Sequence, residues 1–381
     1  MLNEASILAV NAAAWRGPFI RPLYESYCFA NLPATIVRIL GGESMATLPP
    51  LPEAFWADLA ADVRRVVWVI LDAVGWSCFR EWIDEEPELG LARLCRSNRL
   101  LPVTSIFPST STSALMTLWT GCPPAQHGLV GHMMYLREFG LVADMLMLSP
   151  AGVLRRDELV ERGLDLTKFV PVPGLGEALA TQHVRTHALI NVDLARTGFS
   201  RLCFRGVTEV CRFVTAADMW VRLRETLAMN RNERMLLVSY LSEPDGIGHL
   251  QGPESDSWRA ELRSLSYSLE REFLAMLTPQ ERRGTLLVLT ADHGQLPGMG
   301  KPIILGEQTP LWDRLILPAT GSLRAAYLYV RRGQAEVARQ YLQEHLSEQF
   351  AVVDSEAALR AGLFGPGEPA HEAPYRIGEL I

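Results

Sequence analysis

Val66-Val67-Trp68-Val69-Ile70-Leu71-Asp72 is an unbroken apolar, β-branched run that ends on a carboxylate. No polar residue alternates within it, so it predicts a strand covered on both faces, as in a parallel sheet. The same arrangement occurs twice more. Met235-Leu236-Leu237-Val238-Ser239-Tyr240 leads to Asp245 and His249, and Thr285-Leu286-Leu287-Val288-Leu289-Thr290 leads to Asp292-His293-Gly294. Parallel α/β sheets present their functional groups at the carboxyl ends of the strands. Asp72, Asp245, His249, Asp292 and His293 would therefore meet along one sheet edge, as the ligands of a divalent metal site do. Carboxylate and imidazole donors suit zinc, with manganese or iron as alternatives. A single histidine is more often a surface or core residue than a ligand, but three clusters at three strand ends together point to a site. Gly246 and Gly248 between Asp245 and His249 predict a loop wrapped around an ion rather than a helix face, and Gly294 predicts a sharp backbone turn.

Bulk composition narrows the class. The chain has 381 residues, long enough for one large α/β domain with an insertion or for two domains. Its formal net charge is −7, from 36 basic and 43 acidic residues, which argues against a stable nucleic-acid partner but leaves a nucleotide open as a small substrate. The six cysteines are scattered without a CxxC pair and read as reduced thiols, not as a disulfide framework or a zinc ribbon. Met1-Leu2-Asn3-Glu4 has no basic n-region, and Arg16 and Pro18 fall early, so no signal peptide is expected. No apolar run approaches the roughly 20 residues that span a bilayer. The expectation is a cytoplasmic enzyme without a membrane partner; nothing in the sequence speaks to oligomeric state.

Residues 1–60 read as a lead-in rich in proline, with a turn-prone Pro49-Pro50-Leu51-Pro52. After the first strand, a helix is predicted from Trp76 and a second strand near Leu100-Leu101-Pro102-Val103. Residues from about 133 to 180 lack a regular pattern and are expected to form an insertion over the active edge. Further predictions are a strand over Ala188–Val192, a helix over Ala216–Met229, a long helix over Ser255–Leu277, a strand over Ala325–Val330 and a helix over Gln334–Leu346.

The hydroxyl-rich bend Phe107-Pro108-Ser109-Thr110-Ser111-Thr112-Ser113 runs straight into the apolar Ala114-Leu115-Met116-Thr117-Leu118-Trp119 and predicts a helix that starts at the bend. Unpaired N–H groups and the partial positive charge of a helix N-terminus suit a phosphoryl group. A hydroxyl there can ligate a metal and attack phosphorus. An ordinary Ser/Thr N-cap is the competing reading of the same residues.

In this order, Asp72, Phe107-Pro108-x-x-Ser111, Thr120-Gly121-Cys122-Pro123-Pro124-Ala125-Gln126-His127-Gly128, Asp245-x-x-x-His249 and Asp292-His293-Gly294 resemble the alkaline phosphatase superfamily. Within it, the chain is similar to the type I phosphodiesterase/nucleotide pyrophosphatase branch over residues 60 to 381. The resemblance implies a catalytic domain over residues 61–381: a three-layer α/β/α sandwich around a mainly parallel sheet, with the insertion over the strand ends. It also implies a two-zinc site with Ser111 as catalytic nucleophile. Asp72, Ser111, Asp292 and His293 would hold one metal ion, and Asp245 and His249 the other. The implied reaction is hydrolysis of phosphodiester or nucleotide pyrophosphate bonds in a small substrate, through a covalent phospho-enzyme. A phosphomonoesterase or phosphonate hydrolase of the same superfamily is the alternative.

One departure from the branch stands out. The branch supplies a third ligand to the second zinc from a histidine, usually followed by glycine, near the carboxyl terminus. Here the sequence reads Arg376-Ile377-Gly378-Glu379-Leu380-Ile381 where a strand and that histidine are expected. His345 falls in a predicted helix and His371 in the turn-rich Gly365–Ala370 region, and both read as surface residues. The expectation is a truncated chain or an incomplete second site, with His371 as the candidate substitute. A non-catalytic metal or nucleotide binder is thus a second reading. Cys122-Pro123-Pro124-Ala125-Gln126 approaches a sulfatase signature, but Gln126 stands where arginine is needed. His127 and His132 are expected to be structural. Glycine-rich dinucleotide and P-loop signatures are absent, so a nucleotide would enter as substrate. Residues 295–320 are expected to contribute to its pocket.

Overall fold

The computed structural model describes every residue except 1, 17–18, 44–46, 299–302, 307–309 and 349. Among the described residues the strands are β1 Arg65–Leu71, β2 Met133–Leu136, β3 Leu141–Asp144, β4 Ser149–Pro150, β5 Arg185–Asn191, β6 Glu209–Phe213, β7 Met235–Leu241, β8 Thr285–Thr290, β9 Thr320–Gly321 and β10 Ala326–Tyr327. Five of them make one sheet in the order β6-β5-β7-β1-β8, and every pairing in it is parallel.

Successive side chains of a strand point to opposite faces. In β1, Val66, Trp68 and Ile70 enter one core with Leu115, Met116 and Trp119 of the helix Ser111–Thr120. Val67, Val69 and Leu71 enter a second core with Trp220, Leu223 and Leu227 of the helix Ala216–Met229, and with Trp258, Leu262 and Leu265 of the helix Asp256–Ser268. Two cores on the two faces of one parallel sheet make the three-layer α/β/α architecture. The opening segment joins the first core through Tyr24, Phe29, Ile36 and Val37.

Several elements differ from their sequence expectation. β8 is half-buried throughout rather than covered on both faces, because among the described residues only β1 pairs with it. No strand forms at Leu100–Val103, where Pro102 lacks a ladder donor; only isolated bridges join Leu2 to Leu100 and Cys28 to Thr104. Residues 133–180 are not patternless. They carry β2, β3 and β4, which with β9 and β10 form an antiparallel sheet in the order β10-β9-β2-β3-β4. The strand expected over Ala325–Val330 shrinks to β10 plus single bridges from Leu328 to Leu380 and from Val330 to Leu315. The long helix over Ser255–Leu277 is α-helical to Ser268 and then widens into a π-helical stretch, Leu269–Leu274, which keeps Leu269 and Phe273 buried. Among the described residues, no helix is long and apolar enough to cross a membrane.

Candidate metal and phosphoryl-transfer site

Asp72 follows the last residue of β1. Its backbone N–H donates to Leu241 O of β7 at 2.9 Å, so the neighbouring strand end fixes where the carboxylate emerges. The side chain is buried; Oδ2 accepts from the Tyr240 hydroxyl, and Oδ1 has no partner. Burial, then the charges of Asp292 and Asp245, push this carboxyl well above the usual range. Such crowding is unfavourable unless a proton or a cation occupies the site.

Asp292 and His293 leave the carboxyl end of β8. Asp292 is fully buried; its Oδ1 accepts from Ala73 N at 3.1 Å and from His293 N at 2.9 Å, while Oδ2 is unpartnered. Two glycines let these strand-end loops meet. A Cβ on Gly75 would lie 2.8 Å from Gly294 Cα, and one on Gly294 would lie 2.9 Å from Gly75 Cα. Gly294 therefore serves close approach, and its backbone stays outside the left-handed region that a sharp glycine turn would use.

His293 is the hinge of the cluster. Its Nδ1 lies 3.0 Å from Gly294 O, and a carbonyl can only accept, so Nδ1 carries a proton, and in the neutral imidazole Nε2 is left to accept or to ligate. Nε2 stands 3.0 Å from Ser111 Oγ, 3.4 Å from Asp72 Oδ1 and 3.6 Å from Asp292 Oδ2. Ser111 is the first residue of its helix, and Thr110 holds the extended N-cap position without a side-chain capping bond. The Ser111 hydroxyl is thus not a cap; it pairs with His293 Nε2, as the donor when that ring is neutral. The first-turn N–H groups beside it have no intrahelical acceptor.

Asp245 and His249 lie on a helix, Glu243–Gln251, and not in the loop that Gly246 and Gly248 suggested. Pro244 is tolerated in the first turn, and Gly248 is small where Gln295 packs: a Cβ there would come 1.8 Å from Gln295 Oε1. Asp245 and His249 share one helix face at four-residue spacing, with Asp245 Oδ1 3.3 Å from His249 Nε2. Gln295 Nε2 donates to Asp245 Oδ1 at 2.6 Å. Burial raises the Asp245 carboxyl, and the neighbouring His249 and His293 offset part of that rise.

One ligand atom each from Asp72, Asp245 and His293 lies within 4.8 Å of the others. Ser111 and Asp292 touch this group through His293. His249 reaches only Asp245, with its side chain 65% exposed. Among the described residues no third histidine joins them: His345 Nδ1 donates to Tyr341 O, and the exposed His371 pairs with Glu372 at 2.8 Å. His127 is buried, accepts from Leu129 N at Nδ1 and lies 3.0 Å from Thr117 Oγ1 through Nε2. Burial pushes His127 down to about 3, which keeps it neutral. Cys122 is buried and its thiol is pushed up by that burial, the opposite of an activated nucleophile. Residues 295–320, expected at the pocket, fall partly outside the described residues.

Sequence reasoning missed Tyr240 and Gln295. The signal for Tyr240 is a hydroxyl inside a core strand, where a buried tyrosine needs a partner. Gln295 shows only its place directly after Asp-His-Gly.

The sequence matches the family description Type I phosphodiesterase / nucleotide pyrophosphatase over residues 66–381. The chain belongs to that family. Solved structures with the same fold include phosphonoacetate hydrolase from Sinorhizobium meliloti 1021, at 18% identity and TM-score 0.55, with 82% of this chain and 79% of that chain covered. Human ectonucleotide pyrophosphatase / phosphodiesterase 5 matches at 16% identity and TM-score 0.59, covering 83% and 77%. Its murine counterpart, solved as an inactive variant in complex with AMP, matches at 15% identity and TM-score 0.53 with the same coverage. As a family member, the chain is placed among the phosphodiesterase/pyrophosphatase hydrolases of the alkaline phosphatase superfamily.

Proposed function

We propose that this chain hydrolyses phosphodiester or nucleotide pyrophosphate bonds through a covalent phosphoryl intermediate on Ser111. The observation that carries the reading is the Ser111 hydroxyl, 3.0 Å from His293 Nε2 at a helix N-terminus and beside the Asp72–Asp245–His293 cluster. The residues suit divalent cations, zinc first: Asp72 Oδ1 and Asp292 Oδ2 are buried oxygens without hydrogen-bond partners, and burial with the neighbouring carboxylates raises Asp72. Asp72, Ser111, Asp292 and His293 would hold one ion, and Asp245 with His249 a second. Bound there, such ions supply positive charge to the equatorial oxygens of the transferring group and lower the hydroxyl pKa.

Ser111 Oγ would lose its proton to solvent and give an electron pair to phosphorus, and the in-line leaving oxygen would take the pair of the bond that breaks. The N–H groups of the first helical turn hold the phosphoryl oxygens. The Nδ1–H bond to Gly294 O keeps the His293 ring aligned with Ser111. Water attacking the same phosphorus releases the phosphate ester and restores the Ser111 hydroxyl. A small phosphate ester or nucleotide is the substrate. Six scattered cysteines without a CxxC pair suit a reducing, cytoplasmic setting. Phosphomonoester or phosphonate cleavage is the alternative chemistry on the same residues.

One observation favours a second reading: the Asp245–His249 pair has no third ligand among the described residues. A non-catalytic metal or nucleotide binder would retain the fold with such a site. Hydrolysis of bis-p-nitrophenyl phosphate and p-nitrophenyl phosphate, each with and without zinc, separates the readings. Zinc-dependent turnover favouring the diester is expected. Preference for the monoester would move the assignment to the alternative, and no turnover of either ester with zinc bound would favour the binder.

A further inference from the structure

A second group of metal-ligating side chains lies on β5 and β6, two and three strand positions from β1 and toward the amino ends of the strands. His187 and Glu209 stand opposite one another in the parallel register of β5 and β6. Cys211, two residues after Glu209, shares its face of the sheet. One donor atom from each of the three lies within 4.8 Å of the others.

The state of His187 gives this group its meaning. Its side chain is 1% exposed, and neither ring nitrogen has a hydrogen-bond partner. Glu209 Oε2 lies 3.4 Å from Nδ1 but without hydrogen-bond alignment. Burial pushes the imidazole below its ordinary range, so near neutral pH the pair is not an ion pair in this form. The flanking same-face residues Leu189 and Phe213 enter an apolar core. An apolar side chain would fill the His187 position without stranding two polar atoms, whereas an imidazole there calls for a partner. Glu209 is exposed and Cys211 partly so, which leaves a route in from solvent.

We propose that His187, Glu209 and Cys211 bind one divalent cation of the zinc class, separate from the phosphoryl-transfer site, and so fasten the edge strand β6 to β5. Imidazole, thiolate and carboxylate donors select zinc-like ions over magnesium or calcium, which take oxygen ligands. Three protein donors leave a fourth tetrahedral position for solvent. Binding takes His187 as the neutral imidazole and Cys211 as the thiolate, whose proton passes to solvent.

Cobalt(II) titration of the full chain tests the proposal, because the phosphoryl-transfer cluster contains no thiol. A thiolate-to-cobalt charge-transfer band in the near ultraviolet is expected, and zinc should displace it. Cys211→Ser should remove the band and leave ester hydrolysis unchanged. A readout on the unaltered protein guards against misfolding of the variant: alkylation of Cys211, mapped by peptide mass. Zinc at about ten times its dissociation constant should slow that alkylation about tenfold relative to chelator. Absence of the band in the unaltered protein, its survival in Cys211→Ser, or equal alkylation with and without zinc would overturn the proposal.

Discussion

At the scale of single residues, Asp72 and His127 carry opposite pH signatures. The Asp72 carboxyl lies above its unfolded value in the metal-free chain, through burial and the charges of Asp292 and Asp245. Between the two values the folded state keeps a proton that the unfolded state has lost, so this group lowers stability as pH rises through that window. Asp72→Asn should therefore stabilise the metal-free protein at pH 7 while weakening metal binding. Urea unfolding in chelator checks this; the gain should vanish below about pH 4, where both carboxyls are protonated. His127 is depressed to about 3, so its stabilising contribution is full above the unfolded value and is lost as pH falls toward the folded one. By about pH 4 that loss reaches about 3 kcal/mol. The stability gap between the parent and His127→Gln should accordingly narrow from pH 7 to pH 4, and a constant gap would contradict a buried neutral imidazole.

At the scale of elements, two glycines near the site behave differently because of what each would meet. The neighbour of Gly75 is the Gly294 backbone, which has no rotamer to yield. Gly75→Ala should cost about 1–3 kcal/mol and separate Asp72 from Asp292-His293, with activity falling more than stability. Gly248 faces only the tip of Gln295, a side chain that can turn away. Gly248→Ala also gains helix propensity of up to about 1 kcal/mol, so stability should hold or rise while Asp245 loses its bond from Gln295. Thermal melts of the two variants, read beside zinc affinity, separate the effects. These contacts also mark the limit of what the sequence could tell. Gly246 and Gly248 argue locally against a helix, and only the packing of Gln295 shows why Gly248 sits in one; a Cβ on Gly246 would meet nothing within 4 Å. By contrast, Thr215 caps the helix Ala216–Met229 through Asp218 N, a signal within four residues, and that element was legible to its ends.

At the scale of the whole molecule, β1 and β7 were legible because covered parallel strands need largely apolar runs, whereas only the second half of β5 was, since Arg185-Thr186-His187 opens it with polar residues. The half-burial of β8 was not, since its run resembles β1 and its lack of an outer neighbour among the described residues is a tertiary fact. The antiparallel sheet escaped notice because β2 and β3 have four residues each and β4, β9 and β10 two each, too short to show a period. The parallel sheet brings Asp72, Asp292 and His293 to adjacent strand ends, with Ser111 arriving on a helix of the next layer. The central claim is that this convergence makes Ser111 the nucleophile. The most direct test compares turnover of bis-p-nitrophenyl phosphate by the zinc-loaded parent and Ser111→Ala, with bound zinc and acid-quenched peptide masses measured on the same samples. The account predicts an adduct of the phosphorylated substrate fragment on the Ser111 peptide of the parent, and loss of turnover in Ser111→Ala by about a thousandfold or more with most of the zinc retained. Turnover by a zinc-loaded Ser111→Ala at the parent's rate would contradict it.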